Sequence, residues 1–260
     1  MTFKIDTRKK IIQSFIDIAN CNILEIGALD SPTYSSSKYS VKFLDFTSTE
    51  RLARKSSTNS RYKLDRLVDV DFVCPTTEYS KYIRENFDLV IANHVIEHIP
   101  DTIRWLDEVY NILVPNGYLF LSVPDKRYTF DIARRNTNVI DVLRNYKENI
   151  KKPTFYHILE HFYFHKSISA RDAWKGNCLE KLNKKRFEIN DALSVAEKHS
   201  KEEYADVHCH VFTRDSFYDL ISELREMQKC CFEIACIDHP AYLDNEFHVM
   251  LRKHDTNVSS

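Results

Sequence analysis

Residues 87–101 read FDLVIANHVIEHIPD, an apolar run that stops abruptly at a cluster of ionisable side chains. The apolar part, 87–92, has the unbroken hydrophobicity of a strand covered on both faces, as strands of a parallel sheet are. Asn93, His94, Glu97 and His98 follow at once. In open α/β sheets ligands bind outside the carboxyl ends of the strands, so this cluster stands where chemistry is expected.

Working outward, residues 22–27 (NILEIG) form a short apolar strand that ends in a glycine, after an N-terminal helix in which charged and apolar positions alternate at helical spacing. Residues 41–46 (VKFLDF) make a second strand, 69–73 a weaker third, and 118–123 a fifth, introduced by the turn residues Pro115, Asn116 and Gly117. Between the fourth and fifth, 102–113 reads as a helix with Ile103, Leu106, Val109, Tyr110 and Leu113 on one face. Strands alternating with helices imply a parallel sheet built by right-handed crossovers. Near the C-terminus Thr213 caps a helix that runs through Met227. CFEIACIDH and EFHVMLRK follow, too close together for a crossover helix, so they should form an antiparallel hairpin at the sheet edge. Residues 126–206 break the alternation, being helical, aromatic and strongly charged. One domain over 1–260 is expected, with a core of 1–125 and 207–254 and a helical insertion at 126–206. The terminal DTNVSS reads as disordered.

The chain has 260 residues and a formal net charge of −1, with both signs interspersed, so nucleic acid and other polyanions are not expected partners. No signal peptide is evident and no apolar run is long enough to span a bilayer. Seven cysteines at irregular spacings include no C-x-x-C pair, which suits free thiols in the cytoplasm.

The strand ending EIG, the second strand ending in an acidic residue, the acidic third strand, and FDLVIANHVIEHIPD followed by LVPNGYLFLSVPD together resemble the class I S-adenosylmethionine-dependent methyltransferases. The likeness covers most of the first half of the chain and the closing hairpin. It looks most like the branch that methylates sugars in bacterial surface polysaccharide biosynthesis. The resemblance implies a Rossmann-like, mostly parallel seven-stranded sheet and S-adenosylmethionine as cofactor. Its acceptor would be a sugar or nucleotide-sugar, and self-association is left open. Glu25 and Gly27 would sit by the methionine part of the cofactor, where Gly27 permits close backbone approach. Asp45 would accept from both ribose hydroxyls, Asp71 from the adenine amino group with Phe72 on the ring, and Asn93 and His94 would line the pocket. The family usually carries a second glycine where this chain has Leu29. That departure keeps open a catalytically silent relative that only binds.

A sugar hydroxyl is a poor nucleophile until its proton is leaving, so a histidine near neutrality is the natural base. His98 is the first choice, with Asp125 on the same sheet edge. His208 and His210, two apart in VHCHVF, would point the same way if extended, and with His98 they could hold a divalent metal. Otherwise they would bind the sugar. In the insertion His157, His161 and His165 recur every fourth residue beside Glu160; His157, Glu160 and His161 are candidate substrate contacts in a lid, against the alternative of a packing stripe. HVIEH also spells the H-x-x-E-H of inverted zinc peptidases, which needs an unbroken helix; the strand before His94 and Pro100 just after His98 disfavour one.

Overall fold

The computed structural model describes residues 2–57, 63–202 and 204–254. Its strands are β1 (Ile23–Ile26), β2 (Val41–Asp45), β3 (Phe72–Val73), β4 (Phe87–Asn93), β5 (Leu113–Pro124), β6 (Phe232–Ile237) and β7 (Glu246–Lys253). They form one sheet in the order β3-β2-β1-β4-β5-β7-β6. Pairings are parallel from β3 to β5, while β7 runs antiparallel to both β5 and β6. The expected mixed Rossmann-like sheet with an antiparallel closing pair is therefore borne out. The order reverses between β1 and β4, and loops leaving those two neighbouring strands open a crevice.

The helices are α1 (Thr2–Gln13), α2 (Thr49–Ser57), α3 (Thr102–Ile112), α4 (Val139–Lys147), α5 (Phe155–Tyr163), α6 (Ala170–Trp174), α7 (Leu179–Asn183), α8 (Ile189–His199) and α9 (Arg214–Glu226). The period-two rule sorts β4 cleanly. Val90 and Ala92 join the core under α3 and α9, with Trp105, Leu106, Phe217 and Leu220, whereas Leu89 and Ile91 join the opposite core with Ile12, Tyr34 and Phe43. A third, smaller cluster forms around Ile158, Ala196 and Ala205 of the insertion together with Val207 just beyond it. Thr213 caps α9 in a capping box with Ser216, at the position expected from the sequence.

Two strands differ from expectation. β3 shrinks to two residues, and β5 starts at Leu113, five residues early. Leu113 pairs with Phe87 and Tyr118 with Leu89, so the Pro115–Asn116–Gly117 turn is a bulge within the strand, not its introduction. Gly117 is needed there, because a Cβ would lie 3.0 Å from the Val114 carbonyl and 3.2 Å from that of Asp88. All seven cysteines are free thiols. Among the described residues no helix is long and apolar enough to cross a membrane. The disorder expected for DTNVSS falls at 255–260, outside the described residues.

Candidate active site

Loops after β1 and β4 meet the N-terminal helix around a cleft of about 230 Å³ lined by Glu25, Gly27 to Ser31, Asn93 and His94, with Lys4, Ile5 and Arg8 of α1 opposite. Its walls depend on backbone that most residues avoid. Gly27, Leu29 and His94 have φ of 67°, 50° and 54°. Leu29 thus takes the left-handed conformation of the glycine it replaces, at a cost on the order of 1–2 kcal/mol, and its carbonyl is tied by the Val68 N–H at 2.9 Å. The loop keeps its course without the second glycine.

Glu25 is buried at 1% exposure, and its carboxylate accepts from the Thr33 N–H (2.8 Å), the Thr33 hydroxyl (2.7 Å) and Asn93 Nδ2 (3.0 Å). The Asn93 carbonyl oxygen in turn accepts from the Ser122 hydroxyl at 2.7 Å. Burial pushes the Glu25 carboxyl up to about 7, against the pull of those hydrogen bonds. His94 is oriented from two sides. Its N–H donates to the Ser122 carbonyl, and its Nε2 lies 2.6 Å from Glu246 at the start of β7. Glu246 is fully buried and also accepts from Arg8 (2.9 and 3.0 Å) and Lys4 (3.0 Å). Burial favours a neutral His94 ring, but Glu246 and then Glu97 outweigh it and raise its pKa to about 9. The cleft therefore brings Lys4, Arg8 and His94 together with Glu25 and Asp30 in one lining.

The rest of the expected cofactor set divides. Asp45 closes β2, buried, with its Oδ1 3.4 Å from the Thr47 N–H. Asp71 is spent elsewhere, its Oδ2 accepting the Phe43 N–H at 2.7 Å and so extending the short β2–β3 pairing. Phe72 packs inward, edge-on to Phe87 with ring centroids 6.3 Å apart. Neither residue lines the cleft around Gly27 and His94. The aromatic surface beside Asp45 is instead the half-exposed Phe46, stacked on Tyr204 at 4.8 Å.

A second group gathers one turn beyond His94. Ile96–His98 is a 3₁₀ turn preceding α3. Its Glu97 is buried at 1% exposure, and neither carboxylate oxygen has a hydrogen-bond partner among the described residues. The nearest ionisable atoms are His94 Nδ1 at 3.5 Å and His98 Nε2 at 3.9 Å. His98 Nδ1 lies 3.1 Å from the Val207 carbonyl, and its ring meets that of His208 edge-on at 4.8 Å. His208 Nδ1 contacts Asp131 Oδ2 at 2.6 Å, while its N–H donates to His161 Nδ1. Burial lowers the His98 pKa despite the opposing carboxylate of Glu97, so the ring is neutral at pH 7.

Several expected acceptor residues serve the scaffold instead. Asp125 is fully buried and receives the N–H, Nε and Nη2 of Arg127, fixing its own turn. His157 completes the N-terminal capping box of α5 with Thr154, and burial holds its pKa at about 3. His210 donates Nε2–H to the Pro100 carbonyl at 3.0 Å, buried and stacked on Phe212. It does not point with His208, because the chain bends at Cys209, whose N–H and that of His210 both donate to the Glu97 carbonyl. The structure therefore does not bring His210 together with His98 and His208 as the expected metal set required. Glu160 is half-exposed beside Arg134 at 3.5 Å, and His161 Nδ1 accepts the backbone N–H of His208 at 3.1 Å. The peptidase alternative fails as well, since His94 has left-handed backbone and the following residues form a 3₁₀ turn, not an α-helix.

Thr33, Asp131 and Glu246 are not among the residues expected from the sequence. Glu246 had a signal, being a charge at the head of the apolar strand EFHVMLRK. Glu97 was legible as a member of the ionisable cluster after the fourth strand, though with no role of its own in a transferase. Thr33 and Asp131 carried none, because their partners are distant in sequence.

No curated protein matches this sequence. Among solved structures, a SAM-dependent methyltransferase from Methanosarcina mazei is 16% identical with a TM-score of 0.45, covering 94% of this chain and 97% of its own. The magnesium protoporphyrin IX methyltransferase of Synechocystis with bound SAH is 9% identical at 0.44, covering 96% and 83%. The N-methyltransferase NodS of Bradyrhizobium japonicum is 10% identical at 0.44, covering 98% of both. The family described as "Methyltransferase domain" matches residues 22–224, most of the chain, so the protein belongs to that family and is an S-adenosylmethionine-dependent methyltransferase.

Proposed function

We propose that this methyltransferase O-methylates a sugar, carried on a nucleotide, during surface polysaccharide biosynthesis in the cytoplasm. The donor occupies the cleft between Gly27 and His94, with its methionine end among Glu25, Asn93 and His94 and its ribose hydroxyls on Asp45. The insertion, 126–206, covers the acceptor.

One observation carries the choice of an oxygen acceptor. His98 has Nδ1 at the Val207 carbonyl and Nε2 toward Glu97, one 3₁₀ turn from the cofactor-side His94, and burial lowers its pKa. An amine attacks a sulfonium unaided once neutral, whereas a hydroxyl gains from a lone pair that draws off its proton. In the step the acceptor O–H bond breaks, the oxygen bonds the methyl carbon, and the C–S bond pair returns to sulfur. S-adenosylhomocysteine and the methyl ether result. The protein's part is alignment and exclusion of water. Flat aromatic faces suit the C–H surface of a sugar, and the insertion carries a stacked pair, Tyr128 on Trp174 at 4.3 Å.

The test is a panel of nucleotide sugars incubated with enzyme and S-adenosylmethionine and read by mass spectrometry. Gain of one methylene, located on a sugar oxygen, is expected. Transfer to nitrogen acceptors only, or to none of the sugars by a chain that binds the donor, would overturn the acceptor assignment.

A further inference from the structure

We infer that Glu97, His98 and His208 form a binding site for a single first-row divalent transition-metal ion, which takes the acceptor oxygen as a further ligand. The inference deepens the transferase reading and rests on it for the ion's role, though not for its binding.

One donor atom from each of the three residues lies within 4.8 Å of the other two. Drawing them onto one ion at ordinary zinc–nitrogen and zinc–oxygen lengths needs movements of about 1 Å. Both rings are already held in the tautomer that ligation needs. His98 Nδ1 is engaged by the Val207 carbonyl and His208 Nδ1 by the Asp131 carboxylate, which leaves Nε2 of each ring for the ion. A histidine whose far nitrogen is fixed by a carboxylate or a carbonyl is the usual outer support of a metal ligand. Asp131 is itself anchored by Arg134 at 3.1 Å, both side chains being buried.

The independent observation is Glu97. A carboxylate at 1% exposure with neither oxygen hydrogen-bonded among the described residues is a costly arrangement. Its counterpart Glu25, equally buried, is met by Thr33 and Asn93. The cationic neighbour of Glu97, His94 Nδ1 at 3.5 Å, is too far for a hydrogen bond, and an ion would give the carboxylate the direct ligation it lacks. Two imidazole nitrogens and one carboxylate oxygen suit zinc and its first-row neighbours better than magnesium or calcium. Three protein ligands leave coordination open, as in catalytic rather than structural sites. With Nε2 ligated, His98 holds the ion in place of acting as the base itself: the ion would lower the pKa of the bound hydroxyl and stabilise the developing alkoxide while the proton leaves to water.

Full-length protein stripped with chelator is titrated with Zn²⁺ alone, in the absence of donor and acceptor. One equivalent should bind, and His208→Ala and Glu97→Gln should each weaken binding at least about 30-fold, with Asp131→Asn weakening it about tenfold as a positioning residue. No stoichiometric binding, or unchanged affinity in both ligand variants, would overturn the site. Donor binding is read separately: a chain that binds S-adenosylmethionine but no zinc refutes the ion site, and one that binds zinc but no donor refutes the transferase reading. If a variant loses donor binding too and has misfolded, the zinc absorption edge of the wild type decides. Imidazole scattering from two rings supports the site, and sulfur scattering, as from Cys209, overturns it.

Discussion

The cleft at Gly27 and His94, where the donor is proposed to bind, and the cluster around Glu97, proposed for the acceptor, are built on different principles. At the cleft backbone shape dominates: Gly27, Leu29 and His94 hold left-handed turns, and the polar side chains behind them, Glu25, Thr33, Asn93 and Ser122, mostly satisfy one another. At the cluster side chains dominate. Glu97, His98, Asp131, His161 and His208 come from a 3₁₀ turn, the segment after β5, α5 and the irregular run before α9, and the Glu97 carboxylate is left without a hydrogen bond among the described residues. A donor common to a whole family can be gripped by a fixed frame, whereas an acceptor peculiar to one enzyme is met by groups that can vary.

If that contrast is right, damage to one end should leave the other working. The largest effect is expected at His98→Ala, with turnover down about 100-fold or more and donor affinity kept; steady-state kinetics alongside donor titration checks it. Near-normal turnover would remove His98 from the chemistry. At the opposite end Gly27→Val puts a β-branched residue at φ 67°, with its Cβ 3.4 Å from Val95 Cγ2. A stability loss of about 1–3 kcal/mol and failure to bind donor are expected in denaturant and calorimetric titrations, while zinc uptake persists.

The pH behaviour sharpens the donor side. Glu25 has a pKa raised on folding from 4.5 to about 7, chiefly by burial. The folded chain therefore holds this proton more tightly than the unfolded one, and the group's contribution to stability falls as pH rises from about 4.5 through about 7. Melting temperatures of the wild type and Glu25→Gln across that window should converge toward low pH and separate toward pH 7 and above in favour of the variant. Parallel curves would contradict the burial argument. The smallest effect belongs to Leu29→Gly, which relieves left-handed strain but frees the unfolded chain. A net gain of no more than about 1 kcal/mol is expected, with donor binding unchanged.

The same contrast explains what the sequence could reveal. Strands such as 87–92 announce themselves by local periodicity, and β1, β2, β4 and the C-terminal pair were legible for that reason. β3 was legible only as a position, because two paired residues carry no period. The positions of Asp45, Gly27 and His94 were legible because each ends or directly follows a strand. The shared direction expected of His208 and His210 does not occur, because alternation does not hold in a segment that bends at Cys209. Asp131 meets His208 across 77 positions, a pairing set by how the insertion folds back and by nothing local in the sequence.

Calorimetric titration of S-adenosylmethionine into three proteins, the wild type, His98→Ala and Asp45→Ala, tests the separation of the two ends most directly. The wild type and His98→Ala should bind with the same affinity and Asp45→Ala at least about tenfold more weakly, as loss of a charged hydrogen-bond acceptor implies. Absence of binding by the wild type, or equal weakening in both variants, would contradict it.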